Sequence, residues 1–252
     1  LLEEQEIRNS KGRRVNEKIA LVTGSSRGIG RTIALRLADE AEGVIVHFKK
    51  DRDAALDVVR EIEKKGKSAG IFQADLTRED QAQAFIHEAE DRFGRIDILI
   101  NNFGPILKKY WEKLSADDWD HMWRGNLGSA YYCLQAVLPG MRSRKWGRIV
   151  NMGFSRVEQL VAYRDIVPYA IAKTGLLILT RSVASSVASD GITVNMVSPG
   201  LIEGGIMPED KNIPAGRMGT FDDVASAVMF LVSEQASYIT GTNLIVSGGW
   251  KV

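Results

Sequence analysis

Along this chain of 252 residues, seven short runs rich in valine, isoleucine and leucine alternate with longer stretches of helical periodicity, and this alternation limits the folds open to it more than any single motif. The runs are 18–24, 43–48, 68–76, 96–102, 147–152, 192–198 and 243–249. Most are near-continuously apolar, the pattern of strands covered on both faces, as in a parallel sheet. Amphipathic stretches at 29–41, 52–65, 78–93, 116–143, 168–189 and 221–233 separate them. Repeated strand-then-helix order implies right-handed crossovers and a doubly wound α/β sheet of about seven parallel strands in a three-layer αβα sandwich. No linker, repeat or low-complexity tract interrupts residues 17–252, which are expected to form a single domain preceded by a flexible lead-in over 1–16. The longest stretch without periodicity, 199–219, is expected to be a binding loop.

Composition removes several function classes. Charged residues make up 26% of the chain, signs are interspersed and the net charge is +1, so neither nucleic acid nor an anionic membrane is indicated as partner. No run of about 18 apolar residues is read in the sequence, so no membrane span is expected. The single cysteine, Cys133, has no internal partner, which is compatible with a reducing cytoplasm. His47, His87 and His121 are scattered and read as surface or interface residues; no metal site is expected.

The first strand ends in "TGSSRGIG", Thr23 to Gly30, and a helix follows at once. Gly24, Gly28 and Gly30 let the backbone turn sharply and approach a ligand, while the free N–H groups at the helix start attract a pyrophosphate. The alternative is a tight turn whose glycines serve packing alone. With the βαβ context, the spacing favours a Rossmann-type nucleotide site. At the end of the second strand, "VHFKKDR", an acid would bond a ribose 2′-hydroxyl and a base would receive a 2′-phosphate. Phe48 stands at the acid's place, Lys49 and Lys50 follow, and Arg27 adds charge from the glycine turn, so NADP(H) is expected over NAD(H). Asp51 and Asp53 dilute that charge, and an ordinary solvated helix entry is the alternative.

In "PYAIAKTG", Tyr169 and Lys173 stand four apart on one helical face. An ammonium beside a phenol favours the phenolate, which suits the tyrosine to acid–base work. Alone such a pair is weak; after the fifth strand of a nucleotide-binding sheet it carries weight.

In this order and spacing, the motifs make the chain resemble the short-chain dehydrogenase/reductase family, and within it the bacterial 3-oxoacyl-[acyl-carrier-protein] reductases, over roughly 17–252. The resemblance implies a cofactor turn that includes Ser26, Arg27 and Ile29 with the three glycines, and adenine contacts at Asp75 and Leu76 of "ADL". It also implies a cofactor wall at Asn102 and Gly104 of "NNFG" and a nicotinamide turn at Pro199, Gly200 and Ile202. Lys49 would face the adenosine side. Asn126 of "GNLGSA" would hold a water in a proton relay, Tyr169 would protonate the carbonyl oxygen and contact the cofactor, and Lys173 would tune the tyrosine and hold the ribose. The implied reaction is NADPH-dependent reduction of a carbonyl, plausibly a 3-oxoacyl thioester on an acyl carrier protein, by a cytoplasmic homotetramer built on 116–143 and 168–189. Another small alcohol or ketone, or a non-catalytic NADP-binding sensor, are the alternatives. Position 166, seven before Lys173, where related enoyl reductases carry their tyrosine, is Ile166.

Three positions depart from the family pattern. Phe103 replaces a small residue in "NNFG", and its ring must turn away from the adenosine or narrow the pocket. Gly204 stands where many relatives carry threonine. The family's catalytic serine falls on Phe154 when counted from the strand, while Ser155 lies 14 residues before Tyr169, where 12 or 13 is usual. Ser155 is the expected catalytic hydroxyl, re-aimed by a bulge at Gly153; an exposed loop serine beside a pocket-shaping Phe154 is the alternative. Tyr110, Trp111, Trp119 and Trp123 are assigned to interface, pocket rim or core without a choice among them.

Overall fold

The computed structural model describes residues 18–205 and 212–251. The lead-in expected over 1–16 lies outside the described residues, as do 206–211 of the irregular loop. All seven expected strands form: β1 (Ile19–Val22), β2 (Gly43–Phe48), β3 (Ser68–Gln73), β4 (Ile98–Asn101), β5 (Gly147–Met152), β6 (Ile192–Pro199) and β7 (Asn243–Val246). They make one parallel sheet in the order β3-β2-β1-β4-β5-β6-β7. β1, β2, β4 and β5 are buried at every position, which is why their sequences do not alternate.

The helices are α1 (Gly28–Glu40), α2 (Arg52–Lys64), α3 (Glu79–Phe93), α4 (Ala116–Trp123), α5 (Ser129–Arg144), α6 (Val167–Val187) and α7 (Phe221–Val232). One face of the sheet packs α1, α2 and α7 around Ile33, Leu37, Val58, Ile62 and Val228. The other packs α3 and α5 around Ile86, Leu99, Leu134 and Met141. Burying each such side chain contributes about 1.5–3 kcal/mol. Local signals set the starts: Asp51 accepts from Ala54 N–H at α2, and Ser115 with Asp118 and Thr220 with Asp223 form capping boxes at α4 and α7.

Strand order reverses between β1 and β4, so the loops leaving those strands part and open a crevice at their C-terminal ends. The helix expected over 116–143 is broken in register: Arg124–Gly128 is a π-turn between α4 and α5, closed by Ser129 N–H donating to Arg124 O.

Helix α6 with its continuation, Val167–Asp190, is long and apolar enough by composition to cross a membrane. It buries Ala172, Leu176, Leu177, Thr180 and Ala184 and packs along β6, which accounts for an apolar composition within a folded core.

Candidate active site

The glycine turn leaves β1 and wraps the start of α1. Gly24 and Gly28 have φ of +63° and +55°, in the region that favours glycine. At Gly30 a Cβ would lie 2.5 Å from Gly24 O, so α1 packs on the turn only because nothing is there. Asn102 fastens the turn from β4: its Nδ2 donates to Thr23 O at 2.9 Å and Gly24 O at 3.1 Å, and its N–H donates to Thr23 Oγ1. Ser26 and Ile29 are half-buried, and Arg27 is exposed beside them at the helix start.

At the adenosine side, Phe48 is buried and Lys50 is exposed. Lys49 pairs with Asp75 at 2.8 Å. Burial alone raises the Asp75 carboxyl, but bonds from Lys49 and from Thr77 outweigh it and hold it below its ordinary value. Leu76 is fully buried under this edge. The Phe103 ring turns away from the crevice into the core beside the His47 ring, 6.2 Å away, which resolves how a bulky residue fits there.

The opposite wall holds the residues expected to be catalytic. The π-turn sets Asn126 facing the β4 loop, where Nδ2 donates to Pro105 O at 2.8 Å and Met122 O at 3.0 Å. Gly125 has to be glycine, since a Cβ would lie 2.5 Å from the Pro105 ring. Asn126 Oδ1 is buried and has no partner. Lys173 is buried too, its Nζ donating to Met152 O at 2.6 Å. At Gly104 a Cβ would fall 2.6 Å from Asn126 Oδ1 and 3.1 Å from Lys173 Nζ, so the absence of a side chain there leaves room for both groups. Tyr169 is half-buried, with Lys173 Nζ 5.9 Å from its ring centre. Burial lowers the Lys173 ammonium to about 8 and raises the Tyr169 hydroxyl above its ordinary value. The acidified tyrosine expected from the sequence is therefore not what the protein alone produces: desolvating a phenolate outweighs the nearby ammonium.

At the disputed serine, the ring of Phe154 lies against Tyr169, 5.5 Å between centroids, and against Tyr163 at 5.9 Å. Ser155 N–H donates to Pro199 O at 2.9 Å, tying it to the turn of Pro199 and Gly200. Its Oγ is buried and has no partner. Leu201 and Ile202 are buried, and Ile202 pairs with Gly219, which pins the base of the irregular loop. Gly204 has a φ of +70°, a reason for glycine where threonine was the family expectation.

Two features were missed by sequence reasoning. His47 is fully buried rather than at a surface, because every position of β2 is covered. Lys109 and Trp111 donate from their backbone N–H groups to Asp165 O and Arg164 O, strapping the β4–α4 loop to the loop before α6. Tyr110, Trp111, Trp119 and Trp123 are all exposed, which removes the core from their possible assignments. No group of three or more metal-ligating side chains occurs among the described residues.

A turn of left-handed glycines at a helix start, a crevice at the strand-order reversal, and an unpartnered acceptor beside a buried ammonium fit a nicotinamide dinucleotide. The chain belongs to the short-chain dehydrogenase/reductase family, and residues 24–251 match the family described as "Enoyl-(Acyl carrier protein) reductase". It is 38% identical to the 3-oxoacyl-[acyl-carrier-protein] reductase FabG of Staphylococcus aureus (strain Mu50) over 241 residues, 92% of this chain and 97% of that relative. The Vibrio harveyi reductase of the same name is also 38% identical, over 92% of this chain and 96% of its own. Among solved structures, acetoin dehydrogenase YohF from Salmonella typhimurium superposes with a TM-score of 0.85 at 31% identity, covering 93% of this chain and 96% of its own. A blue fluorescent protein from a metagenomic library, in complex with NADPH, gives 0.87 at 30% identity, covering 95% and 100%. The protein is thus an oxidoreductase acting on CH–OH and C=O groups with a nicotinamide cofactor.

Proposed function

We propose that this enzyme reduces a 3-oxoacyl thioester, carried on an acyl carrier protein, to the 3-hydroxyacyl product with NADPH. The observation that carries carbonyl reduction is the pairing of Tyr169 with the buried Lys173 ammonium beside Asn126, with an isoleucine at position 166 where the enoyl reductases place their tyrosine. The substrate rests on the relatives named above. Arg27 and Lys50, exposed at the edge of the adenosine side and with no ion pair among the described residues, support a 2′-phosphate, with Lys49 shared between that phosphate and Asp75.

Bound, the nicotinamide supplies the hydride to the carbonyl carbon. The Tyr169 phenol, protonated at neutral pH and raised further above its ordinary value by burial, donates its proton to the carbonyl oxygen. Lys173, tethered to Met152 O, places positive charge beside the phenolate that this transfer creates and lowers the cost of forming it. Asn126 spends both amide protons on backbone carbonyls, so its free Oδ1 accepts from a relay water that returns a proton to the site. Ser155 offers its unpartnered hydroxyl to the substrate oxygen, while Phe154 walls the site beside Tyr169.

NADPH oxidation with an acetoacetyl thioester, run beside acetoin and a panel of ketones and repeated with NADH, tests the reading. Turnover of the thioester with NADPH preferred is expected; faster turnover of a small ketone, a preference for NADH, or binding without turnover would each replace a part of it. Ser155→Ala is expected to lower kcat/KM more than tenfold, and turnover within a few-fold of wild type discards that assignment. A homotetramer joined through the exposed α4–α5 and α6 faces is part of the proposal.

A further inference from the structure

We propose that His47 is a positioning residue for the adenosine diphosphate half of the cofactor: one imidazole fixes the glycine turn on one side of that pocket and the β3 exit, which leads to Asp75 and Leu76, on the other. The inference rests on the nicotinamide-cofactor reading above.

The hydrogen bonds determine the tautomer. Gly24 N–H donates to His47 Nδ1 at 2.9 Å, so Nδ1 carries no proton. Nε2 therefore bears the hydrogen and donates it to Ala74 O, 3.1 Å away. The backbone of the same residue holds the turn a second time: His47 N–H donates to Ser25 Oγ at 3.1 Å, Ser25 N–H donates to His47 O at 3.0 Å, and Ser25 Oγ donates to Val22 O at 2.7 Å. Phe85 lies 5.1 Å from the ring and Phe103 stands edge-on to it, so the imidazole has little freedom to tilt.

The site needs one acceptor and one donor, in opposite directions, without charge. A neutral imidazole supplies both. An apolar replacement strands Gly24 N–H and Ala74 O together, and buried polar groups without partners are costly. Gly24 is the sensitive point, because its carbonyl oxygen lies 2.5 Å from where a Cβ at Gly30 would be, so the turn packs directly on the start of α1. Interactions that preorganise a pocket act on affinity for what it holds.

The experiment compares wild type with His47→Leu and His47→Gln, glutamine retaining an acceptor and a donor. Calorimetry with NADPH and with NADH gives Kd, steady-state assays give KM and kcat, and ¹⁵N NMR gives the tautomer. Expected results are an Nε2–H imidazole in wild type, a Kd at least tenfold weaker in the leucine variant, and a Kd within threefold of wild type in the glutamine variant. Cofactor KM should rise in the leucine variant while kcat and the ketone KM stay within twofold. Leucine variant protein with lowered melting but unchanged cofactor Kd would reduce His47 to a structural role and overturn the inference. So would an Nδ1–H tautomer, or a tenfold loss in the glutamine variant, readings that stand even if the leucine variant does not fold. Wild-type protein that binds neither NADPH nor NADH removes the cofactor reading itself, and this inference with it.

Discussion

Tyr169 and Lys173 sit in the same apolar wall, yet burial acts on them in opposite senses. It holds the phenol's proton on and loosens the ammonium's, to about 8. On the proposed mechanism Tyr169→Phe removes the proton donor without touching the glycine turn, so kcat should fall about 10²–10⁴-fold, far more than any change in cofactor Kd. Lys173 is charged below pH 8 and neutral above it. Stabilisation of the phenolate is thus present at neutral pH and lost as pH rises, and kcat/KM for reduction should decline through about pH 8, measured from pH 6 to 10 at saturating cofactor. A flat profile counts against the charged lysine. Residue identities were legible where spacing encodes contact: Tyr169 and Lys173 share a helix face, and three glycines after a strand announce the turn. His47 was not legible, since a strand buried on both faces gives no alternation to say where a polar side chain points. Ser155 and Phe154 were ambiguous for a related reason. Counting from β5 and counting from α6 give different registers, and only the ring contact with Tyr169 shows which way Phe154 faces.

At the scale of elements, the glycine turn and α1 form a joint that tolerates no added atom. Gly30→Ala would place a methyl 2.5 Å from Gly24 O and displace backbone, so a loss of about 1–3 kcal/mol in urea denaturation is expected, together with weakened cofactor binding. Unchanged stability would mean that the joint has slack. Strand and helix existence followed from the apolar pattern, but the π-turn did not, although a signal for it was present. Buried positions on α4–α5 fall at Met122, Asn126, Ala130 and Leu134, a repeat of four, longer than the 3.6 of an α-helix. One surplus residue over three turns is what a π-turn absorbs. A single helical periodicity from 116 to 143 hides the turn, because the two periods differ by only one residue over three turns.

For the whole molecule, acid stability and cofactor geometry depend on the same imidazole. Burial lowers His47 to about 4, against the support of Ala74 O and the Asp75 charge, while in the unfolded chain it titrates near ~6.5. Between those values the unfolded state binds the extra proton. The contribution of His47 is therefore present above about pH 6.5 and is lost as pH falls toward 4, a difference of about 3 kcal/mol. Between pH 7 and pH 4.5, urea melts should show wild type losing about 2–3 kcal/mol more stability than His47→Gln, because carboxylate titration is common to both. Parallel losses would mean that His47 is protonated in the folded protein. The sheet order and the reversal between β1 and β4 were legible, because they follow from strand-helix alternation. The strap between the β4–α4 loop and the loop before α6 was not, since its hydrogen bonds join backbone groups more than 50 residues apart and depend on no side-chain pattern.

The π-turn also fixes what can be exchanged between related chains. Removing Gly125 or Gly128 alters neither charge nor hydropathy appreciably, but it would turn α5 by about 100° relative to α4. Either Asn126 would leave the crevice or Leu134, Val137 and Met141 would leave the core. A chimaera joined inside this turn inherits that phase error even when both parents are functional. The unit of recombination is therefore the whole span from Ser115 to Arg144, and breakpoints in the loops on either side should give the viable hybrids.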